Sequence, residues 1–309
     1  MLRRVRQRAL RVYERLLLRE LDGVPSHVAI IQDGNRRYAS EQGDDTTDGY
    51  HAGARTTEDV LEWCDELGVR ELTLYAFSTE NFERPPEERE TLFDLIETKL
   101  REFADADRVH DSEVCIRAIG ETHRLPDRVR DAIAYAESKT AAYDRLYLNV
   151  ALAYGGRAEL LGAARDVAAA VADGDLDPSA VDVETVESSL YEGPERAVDL
   201  IVRTGGDERT SNFLPWHANG NEAAVYFCTP YWPEFRKVDF LRAIRTYEHR
   251  RDSWRTTRAK RALALVRALG ETELQEARSV LRRFRGYLPS GQRAAIDGDA
   301  DGDAERPAD

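Results

Sequence analysis

Along the chain, short apolar runs alternate with longer stretches of helical period. HVAIIQ (27–32) is a compact run rich in branched residues and reads as a strand. TTEDVLEWCDELG (56–68) has apolar positions at helical spacing, with Thr56 or Thr57 as the predicted cap and Gly68 as the stop. ELTLYAFS (71–78) predicts a second strand, and PPEERETLFDLIETKLREFADA (85–106) a long helix opened by prolines and acidic residues. EVCIRAIG (strand), PDRVRDAIAYAESKTAA (helix), RLYLNVALAY (strand) and RAELLGAARDVAAAVADG (helix) continue the alternation, and AVDLIVRT and EAAVYFC add two strands. Such alternation predicts an α/β fold, a mostly parallel sheet with helices on both faces. Sheets of this kind place ligands beyond the C-terminal ends of their strands. Asp33, Ser78, Tyr154 and Arg203 fall at or just beyond such ends.

Composition narrows the picture. The 309 residues, 42% hydrophobic, suffice to bury one large core. The net charge of −14 argues against nucleic acid as a partner. Lysine occurs only at Lys99, Lys139, Lys237 and Lys260, so the basic residues are mostly arginine. An acidic, lysine-poor chain has the composition of a protein from a salt-rich cytoplasm. Cys64, Cys115 and Cys228 are scattered without metal-ligand spacing, which favours a reducing, cytoplasmic location over a disulfide framework. No apolar run reaches the roughly 18 residues that suggest a membrane span. The charged N-terminal segment does not read as a signal peptide.

Against that acidic background three polar clusters follow predicted strands: QDGNRRYA after VAII, TENFERPP after LTLYAFS, and GGDERTSNF after AVDLIVRT. Glycines let backbone N–H groups approach an anion, and arginine forks match phosphate oxygens in pairs. Two arginine-bearing loops point to two phosphate groups.

HVAIIQDGNRRYA, LTLYAFSTENFERP, LNVALAYGGRAEL, DLIVRTGGDERTSNFLPW and YWPEF resemble, in this order, the motifs of cis-prenyltransferases, the undecaprenyl and dehydrodolichyl diphosphate synthases. The resemblance spans roughly residues 24 to 250. It implies a homodimeric α/β fold around a hydrophobic tunnel. It also implies Mg²⁺-dependent, repeated condensation of isopentenyl diphosphate onto an allylic diphosphate, with cis double bonds in the product. By the same resemblance Asp33 assists Mg²⁺ and diphosphate departure, and Gly34, Asn35, Arg36 and Arg37 form the loop that holds the allylic diphosphate. Tyr38 stands where many members carry tryptophan. Asn81 matches a residue assigned to proton removal; an amide is a poor base, so it reads as a positioning group or relay. Ser78, Thr79, Glu80, Phe82 and Arg84 line the same segment, and Arg203, Arg209, Thr210 and Ser211 match the isopentenyl diphosphate site.

The chain departs from the family at two places. In TTDGYHAGA, Thr46 and Tyr50 replace an arginine and a histidine of many bacterial members, and His51 lies one residue later. The family's second metal ligand is a glutamate in the register of Ala224; Glu222, two residues earlier, could serve if the loop shifts. Each site residue also has a plainer reading. Asp33 could cap a helix, and Arg203 and Arg209 could be surface partners of Asp207 and Glu208. DDTTD (44–48) fits an acidic motif of trans-prenyltransferases, but occurs once, in a predicted loop. DGDADGDAERPAD begins like a calcium loop, yet Ala308 stands where the bidentate glutamate is needed.

The expected domains are a basic amphipathic N-terminal helix (1–23), a catalytic domain (24–250), a helical extension (251–290) and an acidic disordered tail (291–309). The N-terminal helix suits either peripheral contact with an anionic membrane or packing on the domain with its arginines in solvent. The competing class of function is a non-catalytic subunit of a heteromeric prenyltransferase or a polyprenyl-binding protein; such subunits typically lose the Asp-Gly-Asn-x-Arg loop, which this chain keeps. Acidic composition and family resemblance together imply a haloarchaeal member primed by geranylgeranyl diphosphate. Its product is expected to be a long polycis polyprenyl diphosphate, the precursor of a glycosyl carrier lipid.

Overall fold

The computed structural model describes residues 13–190, 196–218 and 223–251. The chain divides into two compact units, Met1–Tyr247 and Glu248–Asp309, and the fold described below is that of the first. Helix α1 occupies 13–20, followed by β1 (His27–Ile31), α2 (Asn35–Gln42), α3 (Thr46–Leu67), β2 (Glu71–Ser78), α4 (Pro86–Asp105), α5 (Asp107–Asp111) and β3 (Val114–Ile119). Then come α6 (Asp127–Thr140), β4 (Leu146–Tyr154), α7 (Gly156–Asp173), α8 (Val183–Ser188), β5 (Leu200–Arg203), β6 (Ala224–Phe227) and α9, which starts at 237. The expected extension and tail (251–290 and 291–309) lie outside the described residues except for 251, as does the start of the N-terminal helix.

The six predicted strands form one sheet in the order β3-β4-β2-β1-β5-β6, and every neighbouring pair is parallel. All five residues of β1 are buried, as the unbroken apolar run requires for a central strand covered on both faces. Alternate side chains serve opposite faces. Val28 and Ile30 join the larger core, with Val60 and Leu61 of α3, Phe93 and Leu100 of α4, and Val129 of α6. Ala29 and Ile31 join a smaller cluster with Tyr154, Phe213 and Leu214. Helix α1 packs through fully buried Leu17 on Val238 and Leu241 of α9, while Leu16 and Leu18 remain exposed.

Two stretches depart from the sequence-based expectation. The residues after Asp33, expected as a loop, form helix α2 from Asn35 onward. Helix α3 starts ten residues earlier than the apolar spacing predicts, with Asp45 at its N-cap and Asp48 in its first turn, so part of DDTTD is helical. Thr56 and Thr57 are therefore not caps. They are buried mid-helix, and their hydroxyls donate to the carbonyls of Ala52 and Gly53 one turn back. The early turns escape the pattern because they carry glycine where α2 crosses: a Cβ on Gly49 would stand 2.3 Å from the Asn35 carbonyl oxygen, and one on Gly53 2.2 Å from Asn35 Oδ1. Gly68, in the left-handed conformation, ends the helix as expected.

Candidate active site

Strand β1 connects toward β2 on one side, while its other neighbour β5 leads away to β6, so the order of strands reverses between β1 and β5. The crevice above such a switch point is where open α/β sheets bind ligands. The register pairs Ile31 with Arg203, the last residue of β5, which brings Asp33 and the chain after Thr204 side by side. Thr204 ties the two loops together: its hydroxyl donates to the Asp33 carbonyl at 2.7 Å and accepts from the Asp33 N–H at 3.0 Å.

Arg203 is the hub. It is 3% exposed. Its Nη2 donates to Asp33 Oδ2 at 2.7 Å and to Asp207 at 3.2 Å, and its Nη1 to the Arg209 carbonyl at 2.7 Å and to the Ser211 hydroxyl. The other Asp33 oxygen meets Arg37 at 3.0 Å. Asp33 is thus no helix cap; Gly34 holds the N-cap position of α2, with φ 105°. Partial burial pushes the Asp33 carboxyl upward, but the hydrogen bond and charge of Arg203, aided by Arg37, outweigh it and hold the group below the usual range. Arg209 is mostly exposed and pairs with Asp207 at 2.9 Å, so the surface-pair reading describes its side chain here and fails for Arg203. Ser211, Asn212 and Leu214 all have positive φ (49°, 59° and 49°), a strained run that curls the loop under Arg203.

A second cluster stands at the start of α4. Tyr50 on α3, 7% exposed, donates its hydroxyl proton to Glu88 at 2.6 Å. Arg84 donates to that hydroxyl at 2.6 Å and to Glu88 at 2.7 Å, and Arg36 lies 3.6 Å from Glu88. Burial and the Glu88 bond raise the Tyr50 hydroxyl above its usual range. For Glu88, burial acts upward, but the Tyr50 bond and the charges of Arg84 and Arg36 leave the carboxyl below normal. His51, the neighbour of Tyr50, is exposed. Glu88 was missed in the sequence, although its spacing of four from Arg84 behind two prolines is a helix ion-pair signal.

Beside the second cluster, and bordered by Gln32 and Asn35 of the first loop, opens a cavity of about 190 Å³. Gln32, Asn35, Tyr50, Arg84 and Trp232 lie on its wall near the polar loops, and Leu92, Ile96, Leu100, Phe103, Ile116 and Leu148 make the rest largely apolar. Asn81 also lines it. Its side-chain oxygen accepts from the Ser78 N–H at 3.0 Å in a capping box, so that oxygen is committed and the residue presents no free base. Irregular pairing of β2 with β4 between Tyr75 and Ser78 breaks the alternation beside the cavity, so that both Tyr75 and Ala76 line it. Phe82 packs edge-on to Phe77. Tyr38, Thr79, Glu80 and Thr210 lie on the same segments without joining the ion pairs, and Glu222 is outside the described residues.

Two arginine-bearing loops at a sheet's switch point, beside a largely apolar cavity, are the layout of an enzyme for diphosphates with apolar tails. The comparisons make the class specific. The family model for undecaprenyl diphosphate synthases matches residues 31–254, and the chain belongs to this cis-prenyltransferase family and is an enzyme of prenyl transfer. A relative from Haloarcula marismortui, a tritrans,polycis-undecaprenyl-diphosphate synthase (geranylgeranyl-diphosphate specific), is 69% identical over 97% of this chain and 99% of its own. A Halobacterium salinarum protein of the same name is 75% identical over 90% of this chain and 92% of its own. The crystal structure of lavandulyl diphosphate synthase from Lavandula x intermedia in complex with dimethylallyl diphosphate is similar with a TM-score of 0.68 and 33% identity, over 72% of this chain and 95% of that one.

Proposed function

We propose that this enzyme adds isopentenyl diphosphate repeatedly to geranylgeranyl diphosphate and builds a long polycis polyprenyl diphosphate. The observation that carries the two-diphosphate reading is Arg203, buried and shared between Asp33 of one loop and Ser211 of the other. The primer specificity rests on the names of the haloarchaeal relatives.

In this reading Gly34, Asn35, Arg36 and Arg37 hold the primer's diphosphate, and its apolar tail enters the cavity lined by α3, α4 and β2. Arg203, Arg209, Thr210 and Ser211 hold isopentenyl diphosphate. In each turn the C–O bond to the primer's diphosphate breaks, a C–C bond forms to isopentenyl diphosphate, and a proton leaves its C2. The arginines are already oriented by Asp33, Asp207 and Glu88, so positive charge stands ready where the leaving group gains negative charge. Asn81 orients the reacting ends.

The donor set fits Mg²⁺ of the kind carried on a diphosphate. That ion needs one or two carboxylates beside phosphate oxygens and water. Asp33 is half-buried and kept ionised, and no group of three or more His, Cys, Asp or Glu side chains suited to a metal exists among the described residues. Bound there, Mg²⁺ would neutralise charge on the departing diphosphate. From the family we further infer a homodimer, and exposed Leu16 and Leu18 of α1 support peripheral membrane contact. No helix among the described residues is long and apolar enough to cross a membrane.

The test is the purified chain with labelled isopentenyl diphosphate, Mg²⁺ and C15 or C20 primers, with products sized. A higher kcat/KM for the C20 primer and a ladder of C5 increments are expected. Preference for C15 overturns the primer assignment, and the absence of elongation at any salt concentration overturns the reaction.

A further inference from the structure

Of the YWPEF segment only Trp232, on the cavity wall, has a role above, yet the segment is bonded to both loops of the site. The Trp232 N–H donates to the Asp33 carbonyl at 2.9 Å, and the Gly205 N–H donates to the Pro230 carbonyl at 2.7 Å. Tyr231 lies between these two bonds. Its ring is packed against Gly34 so closely that a Cβ there would stand 2.5 Å from Tyr231 Cδ1. The Arg37 guanidinium lies over the same ring, 5.4 Å from its centroid. The tyrosine hydroxyl donates to Glu41 at 2.7 Å. Arg37 and Glu41 are one turn apart on α2, so a single aromatic side chain grips one face of the helix at both positions.

We propose that Tyr231 is the positioning residue for Arg37 in the primer site. Three neighbours define a slot for the guanidinium: Asp33 at 3.0 Å, the backbone of Gly205, whose Cβ position would be 2.7 Å from Arg37 Nη2, and the Tyr231 ring. Asp33 alone fixes one end of a long side chain that is 44% exposed. The ring supplies a second, orthogonal contact: its negative face attracts the cation without engaging any N–H group in plane, so the fork stays open toward a diphosphate. Gly34 is required because any side chain there would displace the ring. The effect belongs to primer binding, since Arg203, which faces the isopentenyl loop, makes its contacts with Asp33, Asp207, Arg209 and Ser211 instead.

This inference rests on the primer-site reading of Arg37, and the experiment separates the two. KM for geranylgeranyl diphosphate, KM for isopentenyl diphosphate and kcat are measured for the full chain and for Tyr231→Phe, Tyr231→Leu and Arg37→Ala. A cation–ring contact at a partly exposed position corresponds to about a 2- to 5-fold change in affinity. Tyr231→Leu is expected to raise the primer KM by that factor, with the isopentenyl diphosphate KM unmoved and the Phe variant restoring the primer KM. Equal rises in both KM values, or a fall in kcat with neither KM changed, would overturn the proposal. Should the Leu variant fail to fold, phenylalanines with one, two and three ring fluorines at 231 keep the shape and weaken the ring's negative face. A graded rise in primer KM is expected, and a flat series would overturn the role. If Arg37→Ala leaves the primer KM unchanged, the site reading is wrong and this proposal falls with it.

Discussion

At the scale of single residues, the two arginines of the third loop are not equivalent. The sequence treats Arg203 and Arg209 alike, as one isopentenyl diphosphate site with little bearing on the primer. The structure separates them: Arg203 is buried and shared between Asp33 and Ser211, whereas Arg209 reaches into solvent toward Asp207. A charge-assisted hydrogen bond contributes about 1.5–3 kcal/mol, or roughly 10- to 150-fold in affinity. Arg209→Ala should therefore raise the KM for isopentenyl diphosphate within that range and spare the primer. Arg203→Ala should raise both KM values and lower kcat, because Asp33 loses the partner that aligns it. Steady-state kinetics with each substrate varied in turn decides this, and a primer KM untouched by Arg203→Ala would show that the two loops act separately. Asp33→Ala should lower kcat by about 10²- to 10³-fold or more while the fold survives, since the aspartate is partly exposed and Arg203 keeps Asp207. A folded Asp33→Ala variant with near-normal kcat would remove Asp33 from the mechanism.

At the scale of elements, the strands were legible because a parallel sheet covered on both faces needs mostly apolar runs, and HVAII, ELTLYAFS and LYLNVALAY are such runs, their buried Glu71, Thr73 and Asn149 being hydrogen-bonded to one another. Helix α2 and the first turns of α3 were not legible. Their inner faces hold glycine, alanine and the Asn35 amide rather than large apolar side chains, because their task is to bring two backbones together. The site was legible as motifs; the cluster around Glu88 was not, since pairing of α3, α4 and α2 at one carboxylate depends on packing the chain order does not reveal. The glycines make this testable. Alanine in a helix is ordinarily better than glycine by about 1 kcal/mol. Gly162 on α7 has nothing within 4 Å of its Cβ position, so Gly162→Ala should stabilise by about 0.5–1 kcal/mol. Gly53→Ala should do the opposite, destabilising by about 1–3 kcal/mol and impairing turnover, because the new methyl meets Asn35 Oδ1 at 2.2 Å and the Trp232 ring at 2.8 Å. Denaturant unfolding of the pair measures both signs; a stabilised Gly53→Ala would mean that α2 can retreat from α3 without cost.

At the scale of the whole molecule, charge decides the working conditions. A net charge of −14 repels itself, while exposed ion pairs contribute only about 0–1 kcal/mol each. Raising salt from 0.1 M to 1 M shortens the Debye length from about 10 Å to about 3 Å, which screens both, and the excess of carboxylates makes relief of repulsion the larger effect. Stability should therefore rise toward molar KCl; a melting temperature that falls with salt would show that ion pairs dominate. The pH response has a separate origin. His27, fully buried at the start of β1, lies 2.8 Å from both the Arg196 carbonyl and the Thr73 hydroxyl, and burial depresses it from 6.5 to about 4. Its folded pKa lies below its unfolded one, so the unfolded chain takes up the proton first. The neutral ring's contribution is complete above about pH 6.5 and is lost as pH falls through about 4. A shift of that size corresponds to roughly 3 kcal/mol. Asp33, Glu58 and Glu88, also depressed, act below the ordinary carboxylate range, and so below most of this window. At constant molar KCl, unfolding free energy should fall between pH 6.5 and 4.5 in the native chain. In His27→Gln it should start lower and stay flat over that interval, and an unchanged slope in the variant would assign the loss to other groups.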